Sequence, residues 1–455
     1  MKEIARRAAR ALAVLIVVPL SGCATYRSHP LHPEASARSL AARSLTAPRL
    51  LHFLAIEEHR AGPPHWNLAT LTLVATYDRP DMPLATAQWR EAKAGELTAA
   101  ELPNPTLSFQ PTYDTTTAIP SPWKVGPVVS FLIHAFGVRS ALITRARAQA
   151  EAVRQTIAVT AWQLRGRVRA ALLGLWSAQR SAKLSTRAVA VANRYQATVA
   201  QRYRAGMVSA ADLTTATLAQ EQALLKFAAS ERTLQLTRTA LATALGLPVA
   251  ALQHVKLDLA GISHPQRPGK LGLLVHAALI KRPDVLAALA RYRASEANLR
   301  LAIARQYPSI DLGPGYHYDQ GDNKFLLAVS LPLPILNQNQ GPIAQARAAR
   351  RVAAAKFRAV QARVLAQIER AQTDWKASDA ELASARQVRS SAAKMLARRR
   401  TEFAAGAIGR LRLLGAEEAF VEAEQGALAA SVHERAALGE LEAALDHPFL
   451  IAGKR

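Results

Sequence analysis

Few residues in this 455-residue chain have the type and spacing to do chemistry. Cys23 is the only thiol, so no intramolecular disulfide can form. Twelve histidines are scattered, and none sits in a metal-binding spacing such as His-Glu-x-x-His. His29, His32 and Glu34 could hold a metal weakly, or simply belong to a polar tether. Asp311, His317, Tyr318, Asp319 and Asp322 gather where a turn is expected. They could touch ions at a pore mouth, and ordinary turn solvation explains them better. Trp123 could sit in an interfacial aromatic girdle or pack within a loop. No catalytic residues and no metal site are expected, and the chain does not read as an enzyme.

The position of Cys23 is informative. Lys2, Arg6, Arg7 and Arg10 precede an apolar run, Ala11 to Leu20, that is too short to span a bilayer as a helix. The run ends in Leu20-Ser21-Gly22-Cys23, which resembles a bacterial lipobox. That resemblance implies cleavage before Cys23 and a diacylglycerol on its thiol, with no other cofactor. Ala24, where an Asp would resemble an inner-membrane retention signal, favours the outer membrane. No later run of about 18 apolar residues exists, so any membrane crossing by the mature chain needs a closed barrel.

The net charge of +25 and pI near 10.9 could mark nucleic-acid binding. The basic residues are instead spread along Ala-rich stretches of an exported chain, which reads as solvated helix faces. Half the residues are hydrophobic but only 5% are aromatic, a composition of long helices or coiled coil.

An internal repeat organises these helices. Arg79-Pro80-Asp81-Met82 is matched by Arg282-Pro283-Asp284-Val285, and Asn104-Pro105-Thr106-Leu107 by Tyr307-Pro308-Ser309-Ile310, both 203 positions on. The spacing then becomes 200: Val129-Ser130 matches Val329-Ser330, Ala146-Arg147-Ala148 matches Ala346-Arg347-Ala348, and Tyr203-Arg204-Ala205-Gly206 matches Phe403-Ala404-Ala405-Gly406. The frame shifts once, between residues 113 and 128, so the second copy has a shorter loop there. The expected domains are a signal at 1–22, a lipid-anchored, mobile tether at 23–65, and repeats at 66–265 and 266–455.

Each copy has the same order. A helix over 66–102 is stopped at Asn104-Pro105. Leu107, Phe109 and Tyr113 then alternate with Ser108, Gln110 and Thr112, which is strand periodicity. A second strand is expected near 126–134, and the second copy gives strands near 308–318 and 324–333 around Gly321. Residues 138–203 lack proline and predict about 100 Å of continuous helix. Gly206 ends it, and a helix over 210–246 follows. The second copy gives 342–403, Gly406 and 409–446. The lengths suggest that 210–246 stacks on 271–306, and 409–446 on 66–102, each pair lying beside a full-length helix.

Four strands cannot close a barrel, and an open sheet in lipid would leave its edge amides unsatisfied. Three chains giving four strands each would close it. In order and in register, these motifs resemble the TolC-like outer-membrane efflux family over residues 66–446. Leu331 to Gly341 looks like the segment leaving the second hairpin in the metal-efflux branch. The resemblance implies a mainly α fold with a small β part: a homotrimer whose long antiparallel helical hairpins form a helical barrel topped by a β-barrel. It implies a passive outer-membrane channel, with a large periplasmic part, in a tripartite pump for metal cations or drugs. The partners would be a periplasmic adaptor, an inner-membrane proton-driven pump and outer-membrane lipid, with no nucleic acid. The adaptor would meet the tips, at Tyr203, Gly206, Met207, Ser209, Asp212, Phe403, Gly406 and Ile408. Residues 386–401 depart from relatives that carry acids before the second tip: here there are six Arg or Lys and no acid. A structural periplasmic coiled-coil lipoprotein is the competing reading, and it leaves the doubled strand pairs unexplained.

Overall fold

A computed structural model describes residues 24–59, 62–115 and 122–449. The lipidation candidate Cys23 and the signal segment lie outside the described residues. Residues 24–43 belong to a unit of their own. Its helix α1, Pro33–Ala41, buries no residue and carries Glu34 in its first turn.

From Ser44 onward the expected order appears, with more breaks. Helix α2 is Pro48–Glu57, α3 Leu68–Asp78 and α4 Asp81–Ala100. Strands β1 to β4 are Thr106–Phe109, Thr112–Tyr113, Trp123–Val125 and Pro127–Ile133. The long α5, Val138–Arg204, and α6, Ala210–Leu245, complete the first copy. A short α7, Ala260–Ser263, lies in the connection. The second copy has α8 Leu271–Lys281, α9 Pro283–Ala304, β5 Ile310–Asp319, β6 Asp322–Ser330, α10 Gln340–Ala404 and α11 Arg410–Leu445. The equivalent helices start and stop at the offsets read from the sequence: 68–78 becomes 271–281, and 210–245 becomes 410–445.

Three expectations need correction. The single helix over 66–102 is two, because Pro80 has no N–H to give and forces Arg79 into an extended conformation (φ −80°, ψ 142°). Pro283 divides 271–306 in the same way, with Arg282 at φ −57°, ψ 138°. The stacking partners are also different. Arg79 Nη1 donates to the carbonyl of Thr243 at 2.8 Å, and Arg282 Nη1 to that of Ala444 at 2.6 Å. Each short helix therefore abuts the Arg-Pro-Asp corner of its own repeat: α6 meets α3, and α11 meets α8. Finally, residues 44–57 are not a tether. Leu45, Leu50 and Leu54 are at most 2% exposed and join Leu71, Leu172, Leu241 and Leu245 in the largest core cluster.

That cluster lies at the waist, where short helices abut. Its counterpart is built from Val285, Val364, Ile368, Leu441 and Leu445. Below the waist α6, α5, α11 and α10 lie side by side. Above it α4, α5, α9 and α10 do the same, with α5 and α10 running through. At about 1.5 Å per residue, the 67 residues of α5 put its tip turn about 100 Å from the sheet.

Candidate functional site

The sheet and the helical tips are the two ends of this rod. β1 pairs with β4, and β2 with β3, in one continuous register: Leu107 faces Val129, and Tyr113 faces Trp123. Pro111 and Gly126 interrupt the ladder without shifting it. β3 and β4 both pair with β5, again in one register, and β5 pairs with β6 from Asp311↔Ser330 to Asp319↔Asp322. The two hairpins thus merge into one antiparallel meander of four strand paths. Two of those paths are interrupted, so six strands stand where four are expected. Gln320 and Gly321 close the second hairpin with φ of 54° and 109°, the double positive φ of a two-residue hairpin turn.

Because the register is continuous, the faces can be followed across all strands. One carries Leu107, Phe109, Tyr113 and Trp123, then Val129, Phe131 and Ile133. It continues through Ile310, Leu312, Tyr316 and Tyr318 to Phe325, Leu327 and Val329. Ring pairs knit it: Tyr113 and Trp123 at 4.9 Å, and Tyr316 and Phe325 at 5.6 Å. This apolar face is open; Phe325 is 86% exposed and Leu107 69%. The opposite face carries Ser108, Gln110, Thr112, Lys124, His317 and Lys324, with Val128, Leu132 and Leu326 among them. The expected split, with Leu107 and Phe109 opposite Ser108 and Gln110, therefore carries across the sheet on the apolar face, while Val128, Leu132 and Leu326 interrupt the polar one.

Glycine makes the polar face possible. A Cβ on Gly126 would lie 1.8 Å from the Tyr316 carbonyl oxygen, and one on Gly315 would lie 2.8 Å from Val128 Cγ2. At Gly126 the backbone leaves no room for a side chain, and at Gly315 Val128 would have to shift to admit one. The acidic group expected around the second hairpin is spread out. Tyr318 is on the apolar face, Asp311 is at the far end of β5, and Asp319 is bonded to Lys324 at 2.9 Å. Among the described residues no group of three or more His, Cys, Asp or Glu is placed to hold a metal ion. Trp123 belongs to a strand, not a loop.

At the other end the two tips are built alike. Gly206 and Gly406 adopt φ of 69° and 74°, which glycine reaches without steric cost. The N–H of Met207 bonds to the Arg202 carbonyl and that of Gly206 to Tyr203; Ala407 and Gly406 repeat this on Glu402 and Phe403. Tyr203, Met207 and Phe403 are exposed, but Ile408 is half-buried beneath its turn. Ser209 caps α6 in a reciprocal box with Asp212, at 3.2 and 2.9 Å. The bond from the Ser209 hydroxyl, then that from its N–H, holds the Asp212 carboxyl below its usual range. The tips are neighbours, since a Cβ on Gly409 would come 3.3 Å from Arg202 Nη2.

The basic stretch 386–401 is divided between the second tip and the waist. Arg399 pairs with Glu402 and Arg400 with Glu417, while Arg386 and Arg389 line a cavity near the waist. The waist also holds two features that the sequence reading missed. One is the role of Arg-Pro-Asp: each Arg caps the carbonyl end of an abutting helix, where the helix dipole favours a cation. Asp81 clamps Arg79 at 2.8 Å and also pairs with Arg167 at 3.0 Å. The Arg79 bond, then those of Arg167, against opposing burial, lower the Asp81 carboxyl pKa. The other is a buried polar network between α5 and α11. Arg169 Nε meets Glu442 at 3.1 Å, and Arg169 Nη1 donates to the Arg435 carbonyl at 2.7 Å. Exact repetition was the available signal for the first. The second has no counterpart in the other repeat.

No helix of the described residues is long and apolar enough to cross a membrane. The comparisons agree with this two-ended architecture. The family model described as outer membrane efflux protein matches residues 75–247 and again 274–447. The cobalt-zinc-cadmium resistance protein CzcC of Cupriavidus metallidurans is 30% identical over 207 residues, 45% of this chain. That match spans about half (49%) of the curated relative's length. The outer membrane protein VceC of Vibrio cholerae superposes with a TM-score of 0.68 at 18% identity, over 84% of this chain and 97% of VceC. A membrane protein from Pseudomonas aeruginosa gives 0.68 at 21% identity, over 83% and 92%. With both repeats matched by one model across most of its length, the chain belongs to the outer membrane efflux protein family.

Proposed function

We propose that this chain is the outer-membrane channel of a tripartite efflux pump, a homotrimer whose three sheets close into one barrel. The observation that carries this is the sheet with one continuous apolar face and two unpaired edges, the β1–β2 edge and the outer edge of β6. Such edges cannot stay open in lipid. Joining β6 of one copy to the β1–β2 edge of the next satisfies both. The ten residues of β5 span about 34 Å, which at a tilt near 45° matches the roughly 25 Å apolar band of an outer-membrane barrel. Leu107 and Phe109 then face lipid, and Ser108 and Gln110 face the lumen. The cargo is a metal cation, a reading that the CzcC likeness supports over drugs. The exposed tips around Gly206 and Gly406 receive the adaptor, Cys23 carries the lipid, and the inner-membrane pump supplies the driving force.

The test is assembly and conductance. The purified protein should run in detergent at three times the mass of its processed, lipidated chain and form ion-conducting pores in planar bilayers. Phe109→Arg places charge in lipid, at a cost of about 2–4 kcal/mol near the midplane, and should prevent assembly; Gln110→Arg should assemble. A monomer released by mild washing, or equal tolerance at the two positions, would overturn the channel reading. Met207→Asp should abolish efflux and leave the assembly in the membrane. Intact mass should show a lipid on Cys23 in the wild type and none in Cys23→Ser.

A further inference from the structure

The waist holds a cavity of about 340 Å³ between α5, α10 and α11, roofed by Ser263 and His264. Its walls are unusual in charge. Arg180, Lys183 and Arg187 come from α5, Arg386 and Arg389 from α10, and Arg435 from α11. The one carboxylate among the lining residues is Glu424, already bound to Arg187 at 3.0 Å. The α5 cations recur at i, i+3 and i+7, and the α10 pair at i and i+3, so each set forms one stripe on its helix. The stripes flank α11 from both sides.

The floor is buried. Trp176 is 5% exposed, and its ring lies between two guanidinium groups, Arg435 at 4.6 Å and Arg180 at 4.9 Å. Arg435 is held by three bonds: it donates to the carbonyls of Ile262, Ser263 and Ser431 at 2.7–2.8 Å. Arg180, Lys183, Arg386 and Arg389 show no ion pair among the described residues. Burial is the main force lowering the Arg435 pKa; Glu434 opposes it, and the nearby charges of Arg386, Arg180 and Arg169 add to it. The cavity thus brings like charges close to one another, which a multivalent anion would relieve.

We propose that this waist cavity is a binding site for a polyanion of phosphate chemistry, bridged between the α5 and α10 cation stripes over the Trp176–Arg435 floor. Guanidinium forks match phosphate oxygens in paired hydrogen bonds, and two facing stripes suit a ligand with two anionic groups better than a single ion. The site does not depend on channel activity, so a chain that fails to conduct should still bind.

The probe is pyrophosphate, titrated calorimetrically into the full-length protein in detergent, with ionic strength fixed by sodium chloride. Wild type should bind in the sub-millimolar range. Arg386→Gln with Arg389→Gln should weaken binding at least about tenfold, the equivalent of 1.4 kcal/mol. Glu424→Gln removes the only acid and should bind several-fold tighter, while Arg363→Gln, exposed elsewhere on α10, should change nothing. If the double variant misfolds, thermal unfolding of wild type serves instead: pyrophosphate should raise the midpoint where matched chloride does not. Absence of binding by wild type, or an unchanged affinity in a folded double variant, would overturn the site.

Discussion

The two repeats are one design executed twice, and the places where they differ show what each position is for. At the first waist joint α6 ends on Gly246, at φ 76°; at the second, α11 ends on Asp446, at φ 52°. Arg79 is clamped by Asp81, and Asp81 is shared with Arg167; Arg282 is clamped by Asp284 and also reaches Gln367, at the position equivalent to Arg167. The core of the first joint takes in Leu45, Leu50, Leu54 and Ile262, which have no counterparts in the second. The second-repeat helix α11 instead faces α5 through buried charge. The backbone scheme is constant, and the means of filling and capping it have diverged. This teaches that the joint needs a capped helix end and a turned corner, and that several side-chain solutions serve.

The sharpest break of that equivalence is at residue 439. A Cβ on Gly439 would lie 2.0 Å from Arg169 Nη1 and 2.7 Å from its Cζ. Arg169 cannot step aside freely, because Glu442 and the Arg435 carbonyl hold it and it is 7% exposed. Gly439→Ala should therefore cost about 3 kcal/mol by disrupting a buried ion pair. The equivalent Thr239 is exposed, and Thr239→Ala should stay within about 0.5 kcal/mol. Thermal unfolding of the two variants compares them directly; equal effects would mean that the buried network is not specific to the second repeat.

The next effect is at the joints. Arg282→Ala strands the Ala444 carbonyl and the Asp284 carboxylate, and should cost about 2 kcal/mol. Arg79→Ala should cost about 1 kcal/mol, since Arg79 is less enclosed than Arg282 and Asp81 keeps Arg167. Denaturant titration should rank them in that order. A smaller difference follows from Asp446. Burial, though opposed by Arg282, pushes its carboxyl up to about 6 from 3.8. The folded state thus binds this proton more tightly than the unfolded chain. The resulting penalty is absent below about pH 4, grows as pH rises through 6 and is complete above it. Asp446→Asn, which still tolerates positive φ, should stabilise by about 1 kcal/mol at pH 8, after discounting for partial exposure, and by nothing at pH 4. Gly246 gives the first joint no such titration, so a pH profile unchanged in Asp446→Asn would remove this distinction.

Much of this was legible in the sequence because it is local. The 203 and 200 offsets, the Gly206 and Gly406 turns and the alternation from Leu107 to Tyr113 each follow from a few adjacent residues. What was not legible is what distant segments decide. Which short helix abuts which corner depends on Arg79 reaching a carbonyl 164 residues away. Leu45, Leu50 and Leu54 read as a tether because three leucines and a short helix are unremarkable until Leu71 and Leu245 cover them. The break at Pro80 was readable and was passed over: the same residues that identified the motif also forbid an unbroken helix.

The smallest predicted effect separates the tips. Both helices reverse on the same glycine turn, yet only the first has a capped return. Ser209 and Asp212 satisfy each other's backbone N–H groups at the start of α6, whereas Gly409 opens α11 with no side-chain cap. Removing the cap by Ser209→Ala leaves orphan amides that the helix cannot satisfy. Fraying there should make the amides of Asp212 and Leu213 exchange several-fold faster, with α11 unaffected. The reverse change should transfer the feature. Gly409 is extended (φ −79°, ψ 160°), a conformation that serine adopts freely, and its Cβ would meet only the movable end of Arg202. Arg412 is exposed at the position equivalent to Asp212. Gly409→Ser with Arg412→Asp should therefore build the same box and slow exchange at the start of α11 toward the rate seen in α6. If the single change in the first tip and the double change in the second both leave exchange untouched, the glycine turn alone fixes these helix ends and the cap has no structural role.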